Sequence, residues 1–179
     1  MSKRLNFVSA DFSESFEQLL ASKRESHCDI HDAVAEIIAD IRGRGDEALL
    51  AFTERYDGFA VGSVAELAIS GDVLQAALDG LDHALRQSLE LAAARIQSFH
   101  EKQRPNGFAY CDEVGVRLAL RHTPIDAVGL YVPGGKAAYP SSVLMSAIPA
   151  LVAGVKRRVM VVPAPDGKVN DLVLAAAAL

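Results

Sequence analysis

The residues best suited to chemistry lie in one stretch, AVGLYVPGGKAAYPSSVLM, at 127–145. The apolar run 127–132 is short and bounded by Pro124 and Pro133, which predicts a strand buried on both faces. Pro140 suits the position just before a helix, and Ser141 and Ser142 are good N-cap residues for the apolar stretch that follows. The stretch therefore predicts a strand, a glycine loop and a helix.

Gly134 and Gly135 form the corner between this strand and this helix. In an open parallel sheet, ligands bind beyond the carboxyl ends of the strands, where a helix N-terminus attracts anions. The first helical turn, 141–145, carries no acidic residue, so an anion could occupy this place. The loop is not a Walker A motif, because Leu130 and Ala137 stand where that motif needs Gly and Ser or Thr. A corner required only by chain geometry is the equally weighted alternative.

Tyr131 shares a strand face with Gly129, because side chains alternate along a strand. Its ring is expected beside a position that has no side chain, at the ligand-binding end of the strand. A flat ring beside such a hollow could stack on a nicotinamide or an adenine. The alternative is a core tyrosine whose hydroxyl is hydrogen-bonded elsewhere.

The first hundred residues have helical periodicity, which predicts the elements that precede this site. Asp29 and Asp32 predict a helix start, and Gly43 and Gly45 predict its end. The other elements predicted here are a helix that stops at 57–58, a short strand at 67–69, a brief helix capped by Ser70, and a long helix with an apolar face at 81–99 that is ended by Pro105.

The second part of the chain has the alternation of an α/β protein. A hairpin is expected at 109–120, and the remaining pattern is strand 126–132, helix 141–154, strand 158–163 and helix 172–179. We therefore predict two domains: a mainly helical region, 1–105, and a hairpin with an incomplete parallel α/β unit, 106–179. Because no return strand follows the last helix, we expect an N-terminal piece of a longer protein, with 164–179 loosely held.

Composition excludes several classes of function. The chain has 179 residues, is 50% hydrophobic and carries a net charge of −5 with pI ≈ 5.5. This balance argues against a nucleic-acid or anionic-membrane binder, since those proteins present a basic face. The sequence shows neither the apolar core of a signal peptide nor a run long enough to span a bilayer, so we expect a cytoplasmic protein.

Metal and nucleophile patterns are weak in this sequence. Cys28 and Cys111 lie in no metal-ligand or redox spacing. His27 and His31 have the spacing of two ligands on one helix face, but an N-cap at Asp29 would place His27 outside the helix. These spacings therefore argue against a metal site at His27 and His31 and offer no Ser-His-Asp or Cys-His arrangement.

Long segments of the chain nevertheless resemble one enzyme family. GLYVPGGKAAYPSSVLMSAIPALVAGV and VMVVPAPDGKVNDLVLAAA closely resemble histidinol dehydrogenase, and IIADIRGRGDEALLAFTERYDGF and RIQSFHEKQ are similar to that family's N-terminal pattern. Together these segments cover most of 30–179. The resemblance implies a Rossmann-like, aldehyde-dehydrogenase-like sheet module that is only partly present here.

The resemblance also implies an activity. Such an enzyme oxidises L-histidinol to L-histidine through the aldehyde with two NAD, in histidine biosynthesis, as a zinc-containing homodimer. The tyrosine that matches Tyr131 contacts NAD, and we assign Tyr131, Gly134 and Gly135 to the cofactor. The family's zinc ligands and acid–base Glu-His pair lie beyond the position that matches Leu179, so we expect the chain alone to be inactive. The alternative is a stand-alone α/β module that binds a phosphate or a partner without catalysis.

Overall fold

The structure is a computed structural model that describes residues 4–134 and 138–179, with only the backbone described at 21–29. The chain divides into two compact units, one that ends at Phe52 and one at Thr53–Leu179. Each unit is described by itself below.

The first unit is dominated by one helix, α1, at Phe12–Arg44. It ends at Gly45, which has φ of 61° and donates its N–H to the Ile41 carbonyl at 2.8 Å. The predicted end is thus confirmed, but the predicted start at Asp29 is wrong, since the helix runs through it. Asp inside a helix costs less than about 1 kcal/mol relative to Ala, so its preference for a cap does not by itself end a helix. His27 accordingly lies within α1 instead of outside it.

The next elements are mostly those predicted. Helix α2, Asp46–Asp57, stops before Gly58, and α3, Gly71–Asp79, is capped by Ser70. Helix α4, His83–Glu101, ends shortly before Pro105. The predicted strand at 67–69 is wrong. A 3₁₀-helix, Val64–Leu67, includes the first of these residues, and 68–69 form no regular element. The Ser63 hydroxyl donates to Glu66 at 2.9 Å, and this local hydrogen bond favours a turn at the start of the 3₁₀-helix.

The expected hairpin is confirmed. Strands β1, Phe108–Cys111, and β2, Arg117–Leu120, pair antiparallel. The Asp112 carboxylate accepts hydrogen bonds from the N–H groups of Val114 and Val116 at 3.0 and 2.8 Å, and Gly115 has φ of 87°. The turn is therefore held by an Asx-type interaction followed by a left-handed glycine.

A parallel unit follows, as predicted. Strand β3, Ala127–Tyr131, and strand β4, Arg157–Val161, pair parallel with Tyr131 opposite Val161. Helix α5, Pro140–Ala153, joins them, and α6, Asp171–Ala178, follows β4.

Two local predictions about this unit are wrong. β3 is not buried on both faces: Val128 and Leu130 are half-buried, whereas Gly129 and Tyr131 are exposed, since α5 packs against one face only. The predicted serine caps are also absent. Pro140 is the first residue of α5 and Tyr139 is the N-cap, because the fixed φ of proline suits the first helical position.

The core of the second unit lies between helices and the end of β3. α3 packs on α6, and α4 packs on α5. The buried apolar residues of this cluster are Leu78, Leu89, Val132, Val143, Leu144, Ile148, Val173, Ala175 and Ala176. The division predicted between 105 and 106 falls inside this unit, where helices from both sides share one core. The last helix, expected to be loosely held, has four buried residues because α3 covers it.

Candidate functional site

A cavity of about 340 Å³ lies where β3 and β4 end; we call it the strand-end cavity. Pro133 and Gly134 line it after β3, and Pro163 and Pro165 line it after β4. The carboxyl ends of neighbouring parallel strands are the usual ligand site of such sheets. The position of the cavity is therefore the one expected for a ligand of an α/β protein.

Gly134 is required by a close approach across this cavity. A Cβ on Gly134 would lie 2.9 Å from the Pro163 carbonyl oxygen, 3.1 Å from Pro163 Cδ and 3.3 Å from Val162 Cγ2. Real side chains do not tolerate such a distance to backbone oxygen. The sequence therefore places glycine where the two strand-end loops touch.

The loop between β4 and α6 forms the opposite wall of the cavity. Its turn is closed by hydrogen bonds from Gly167 N–H to the Ala164 carbonyl at 2.8 Å and from Lys168 N–H to the Pro165 carbonyl at 3.1 Å. Asn170 caps α6 by accepting from Leu172 N–H at 2.9 Å. Among the described residues that line the cavity, Lys168 is the only charged one.

Tyr131 lies beside this cavity, not in its lining. Its side chain is 66% exposed and shares the open face of β3 with Gly129. A Cβ on Gly129 would have no heavy atom within 4 Å. The space over Gly129, on the strand face that carries Tyr131, is therefore open.

The three residues that the sequence assigned to the cofactor do not lie together in one lining. Gly134 lines the cavity, Tyr131 lies on the adjacent open face, and Gly135 lies outside the described residues. Sequence reasoning missed Pro163, Lys168 and Asn170. The signal that could have found them is the rule that both neighbouring strands contribute loops to such a site.

The described residues of this chain bring together no cluster of three or more His, Cys, Asp or Glu side chains that could hold a metal ion. Cys111 is a free, exposed thiol on β1. Within 4–134 and 138–179, none of the helices has the length and apolar composition needed to cross a membrane.

A parallel β–α–β unit with a glycine corner after its first strand defines part of a Rossmann-like α/β module. The family model described as "Histidinol dehydrogenase" matches residues 20–179. The chain belongs to the histidinol dehydrogenase family.

Individual relatives agree with this family. The chain is 55% identical over 179 residues to the histidinol dehydrogenase of Rhodospirillum rubrum, covering 100% of this chain and 41% of that protein. It is 51% identical over 177 residues to that of Dechloromonas aromatica, covering 99% of this chain and 41% of that protein. A crystal structure of histidinol dehydrogenase from Elizabethkingia anophelis matches with a TM-score of 0.74 and 31% identity, over 83% of this chain and 34% of that one.

The chain spans about 41% of the length of the curated relatives it matches, and this stretch is their N-terminal portion. The alternative of a stand-alone binding module is not supported, since these relatives match along the whole chain and are histidinol dehydrogenases.

Proposed function

We propose that the protein to which these residues belong oxidises L-histidinol to L-histidine through the aldehyde, with two NAD, and that this chain supplies part of the NAD site. The observation that carries the proposal is the open hollow over Gly129 beside the exposed ring of Tyr131, at the edge of the strand-end cavity. Family membership supports the reaction, and the open face beside Tyr131 supports the assignment of a cofactor to this part of the chain.

The residues present fit a dinucleotide. A planar ring could lie against the backbone of Gly129 and stack on Tyr131, because nothing occupies the position of a Cβ there. Lys168 places a positive charge at the cavity, which suits a pyrophosphate. NAD, when bound, accepts a hydride from the substrate carbon. The role of this chain's residues is to bind and orient that cofactor.

The remaining chemistry is assigned to the rest of the protein. Oxidation of the alcohol requires a base for its proton, and oxidation of the aldehyde requires a water activated by a base. We propose that these groups, and the ligands of a zinc ion that would hold the substrate's amine and imidazole, lie outside residues 1–179. The homodimer implied by the family resemblance and the cytoplasmic location expected from the sequence are likewise proposals.

A hybrid protein tests this function. In it, residues 1–179 replace the matching N-terminal stretch of the Rhodospirillum rubrum histidinol dehydrogenase, and the remainder of that protein follows them. We expect the hybrid to reduce NAD, followed by absorbance at 340 nm, only when L-histidinol is present. The control is the 179-residue chain alone, which should show no activity and no zinc above background after dialysis.

Two results would contradict the proposal. A folded hybrid that reduces no NAD with L-histidinol would overturn the proposed activity of these residues. Stoichiometric zinc in the chain alone would overturn the assignment of the metal ligands to the rest of the protein.

A further inference from the structure

The end of α2 and the two residues after it contact the loop that forms one wall of the strand-end cavity. Asp57, the last residue of α2, accepts a hydrogen bond through Oδ2 from the backbone N–H of Ala164 at 3.4 Å. The two residues are 107 positions apart in the sequence and the contact is partly buried. We call Asp57, Gly58 and Phe59 the clamp segment.

The clamp segment also fits closely around the turn at 164–167. Gly58 has φ of 66°, and a Cβ on it would lie 3.3 Å from Asp166 Oδ1. Phe59 lies against Gly167, where a Cβ would meet the ring at 2.6 Å from Cε2 and 2.7 Å from Cδ2. At Gly167 a Cβ would overlap the Phe59 ring, whereas at Gly58 the positive φ is the main reason for glycine, since the Asp166 carboxylate could shift.

The turn itself has an unusual backbone. Asp166 has φ of 54°, and among the described residues it is the only one other than glycine with a positive φ. Gly167 follows with φ of 70°. A left-handed residue with a side chain costs free energy, although Asp tolerates it better than most residues; the hydrogen bonds within the turn and the contacts of the clamp segment both offset this cost.

The held turn is continuous with the wall of the cavity. Pro163 and Pro165 flank Ala164, and Lys168 follows Gly167; these three residues line the strand-end cavity. Pro163 in turn is the residue that Gly134 approaches. A displacement of the turn would therefore move the cavity wall and its charged residue.

We propose that the clamp segment is a positioning element for the cofactor: by holding Ala164 and Gly167, it fixes Pro163, Pro165 and Lys168 around NAD. None of its three residues lines the cavity, so it acts through the loop. This inference rests on the proposed function, because it takes NAD as the ligand of the cavity.

Substitution of Asp57 in the hybrid tests the inference. Asp57→Ala removes the acceptor of the Ala164 N–H, and we expect the KM for NAD to rise about tenfold while kcat stays within about twofold. Asp57→Asn keeps an acceptor oxygen of the same reach and should restore the KM. In the 179-residue chain, Asp57→Ala should accelerate amide hydrogen exchange at 163–168.

Asp112→Ala is the matched control. Asp112 also accepts backbone hydrogen bonds, but at the hairpin turn, whose residues do not line the cavity. Its loss should lower stability and leave the KM for NAD unchanged. If Asp57→Ala does not fold, Gly167→Ala, which forces a Cβ into the Phe59 ring, is examined by the same two measurements.

The outcomes separate the inference from the proposed function. If the parent hybrid reduces NAD and folded Asp57→Ala keeps the parent KM, the positioning role is overturned. Equal increases in KM for Asp57→Ala and Asp112→Ala would also overturn it, since general destabilisation would explain both. A parent hybrid without activity contradicts the proposed function, and the role in positioning NAD falls with it. Unchanged exchange at 163–168 in Asp57→Ala would overturn the inference on its own, because the clamp segment would then not hold the turn.

Discussion

Gly134 and Pro163 meet across the strand-end cavity at a distance that excludes any side chain on the glycine. A Cβ on Gly134 would lie 2.9 Å from the Pro163 carbonyl oxygen. The loop after β3 therefore packs directly on the loop after β4. The two walls of the cavity fix one another, so the shape of the cavity depends on this glycine.

The first prediction concerns this contact. Gly134→Ala should lower the free energy of unfolding of the 179-residue chain by about 1–3 kcal/mol, because the added methyl group forces the two loops apart. Urea titration followed by circular dichroism measures the change. In the hybrid, the same variant should raise the KM for NAD.

Gly129→Ala is the matched control for that variant. Its Cβ would have no heavy atom within 4 Å, so the methyl group enters open space. Stability should be unchanged or higher by up to about 1 kcal/mol, since alanine loses less backbone entropy than glycine. Equal destabilisation by both variants would show that the Pro163 contact does not decide the requirement for glycine.

The second prediction concerns Tyr131. In the hybrid, Tyr131→Ala should weaken NAD binding by about 1–2 kcal/mol, roughly tenfold in Kd, while zinc content stays the same. Because the side chain is 66% exposed, the melting temperature should change little. Tyr131→Phe distinguishes the ring from the hydroxyl: parent-like binding assigns the effect to stacking, and binding as weak as that of the Ala variant assigns it to a hydrogen bond.

Gly129→Val tests whether the open space over Gly129 is also needed for NAD binding. A branched side chain on the open face of β3 would occupy the space beside the ring, so NAD binding should weaken as in Tyr131→Ala. A Tyr131→Ala variant that melts at a much lower temperature with an unchanged Kd for NAD would instead make Tyr131 a structural residue.

The third prediction concerns the cap of α4. The Asp82 carboxylate accepts a hydrogen bond from Leu85 N–H at 3.0 Å, and α4 packs on α5 in the core. Asp82→Ala should cost about 1 kcal/mol of unfolding free energy, and Asp82→Asn should recover most of it, because asparagine caps equally well. Chemical denaturation of the two variants measures the difference. An Asn variant as unstable as the Ala variant would contradict the capping role.

The fourth prediction concerns pH. Arg44 donates to Asp40, with Nε 2.7 Å from Oδ1, and this hydrogen bond holds the pKa of Asp40 below its usual value of 3.8. A carboxyl whose pKa is depressed in the folded state adds stability above the unfolded-state pKa, and this is lost as the pH falls through the folded-state pKa. We therefore expect the contribution to disappear on the acid side, below about pH 4.

NMR titration of Asp40 measures this pKa directly. Arg44→Gln should return the pKa of Asp40 towards its usual value, and the parent should lose stability more steeply than Arg44→Gln as the pH falls below about 4. Because both side chains are partly exposed, salt should reduce the difference. An Asp40 pKa that is the same in both proteins would contradict the assignment to Arg44.

Several elements could be predicted from sequence because their signals are local. Gly45 ends α1, Asp57 ends α2 before a glycine, and Ser70 caps α3, each through the conformational preference of one or two residues. The alternation of strand and helix after 126 likewise depends on short apolar runs and their boundaries. Gly129 and Tyr131 lie on one open face because the period of a strand is two residues.

Other features depended on contacts between distant segments. β3 is open on one face because, among the described helices, α5 packs on the other face. The burial of α6 follows from α3, which is far away in sequence.

The sequence by itself determined the local elements, the family resemblance and the glycine corner at 134. Tertiary structure alone decided which atoms that corner meets, because the Pro163 carbonyl and the Asp57–Ala164 hydrogen bond join segments that no periodicity or spacing relates. Side-chain type limits what a position can do, whereas the packing of remote segments decides which partners it has.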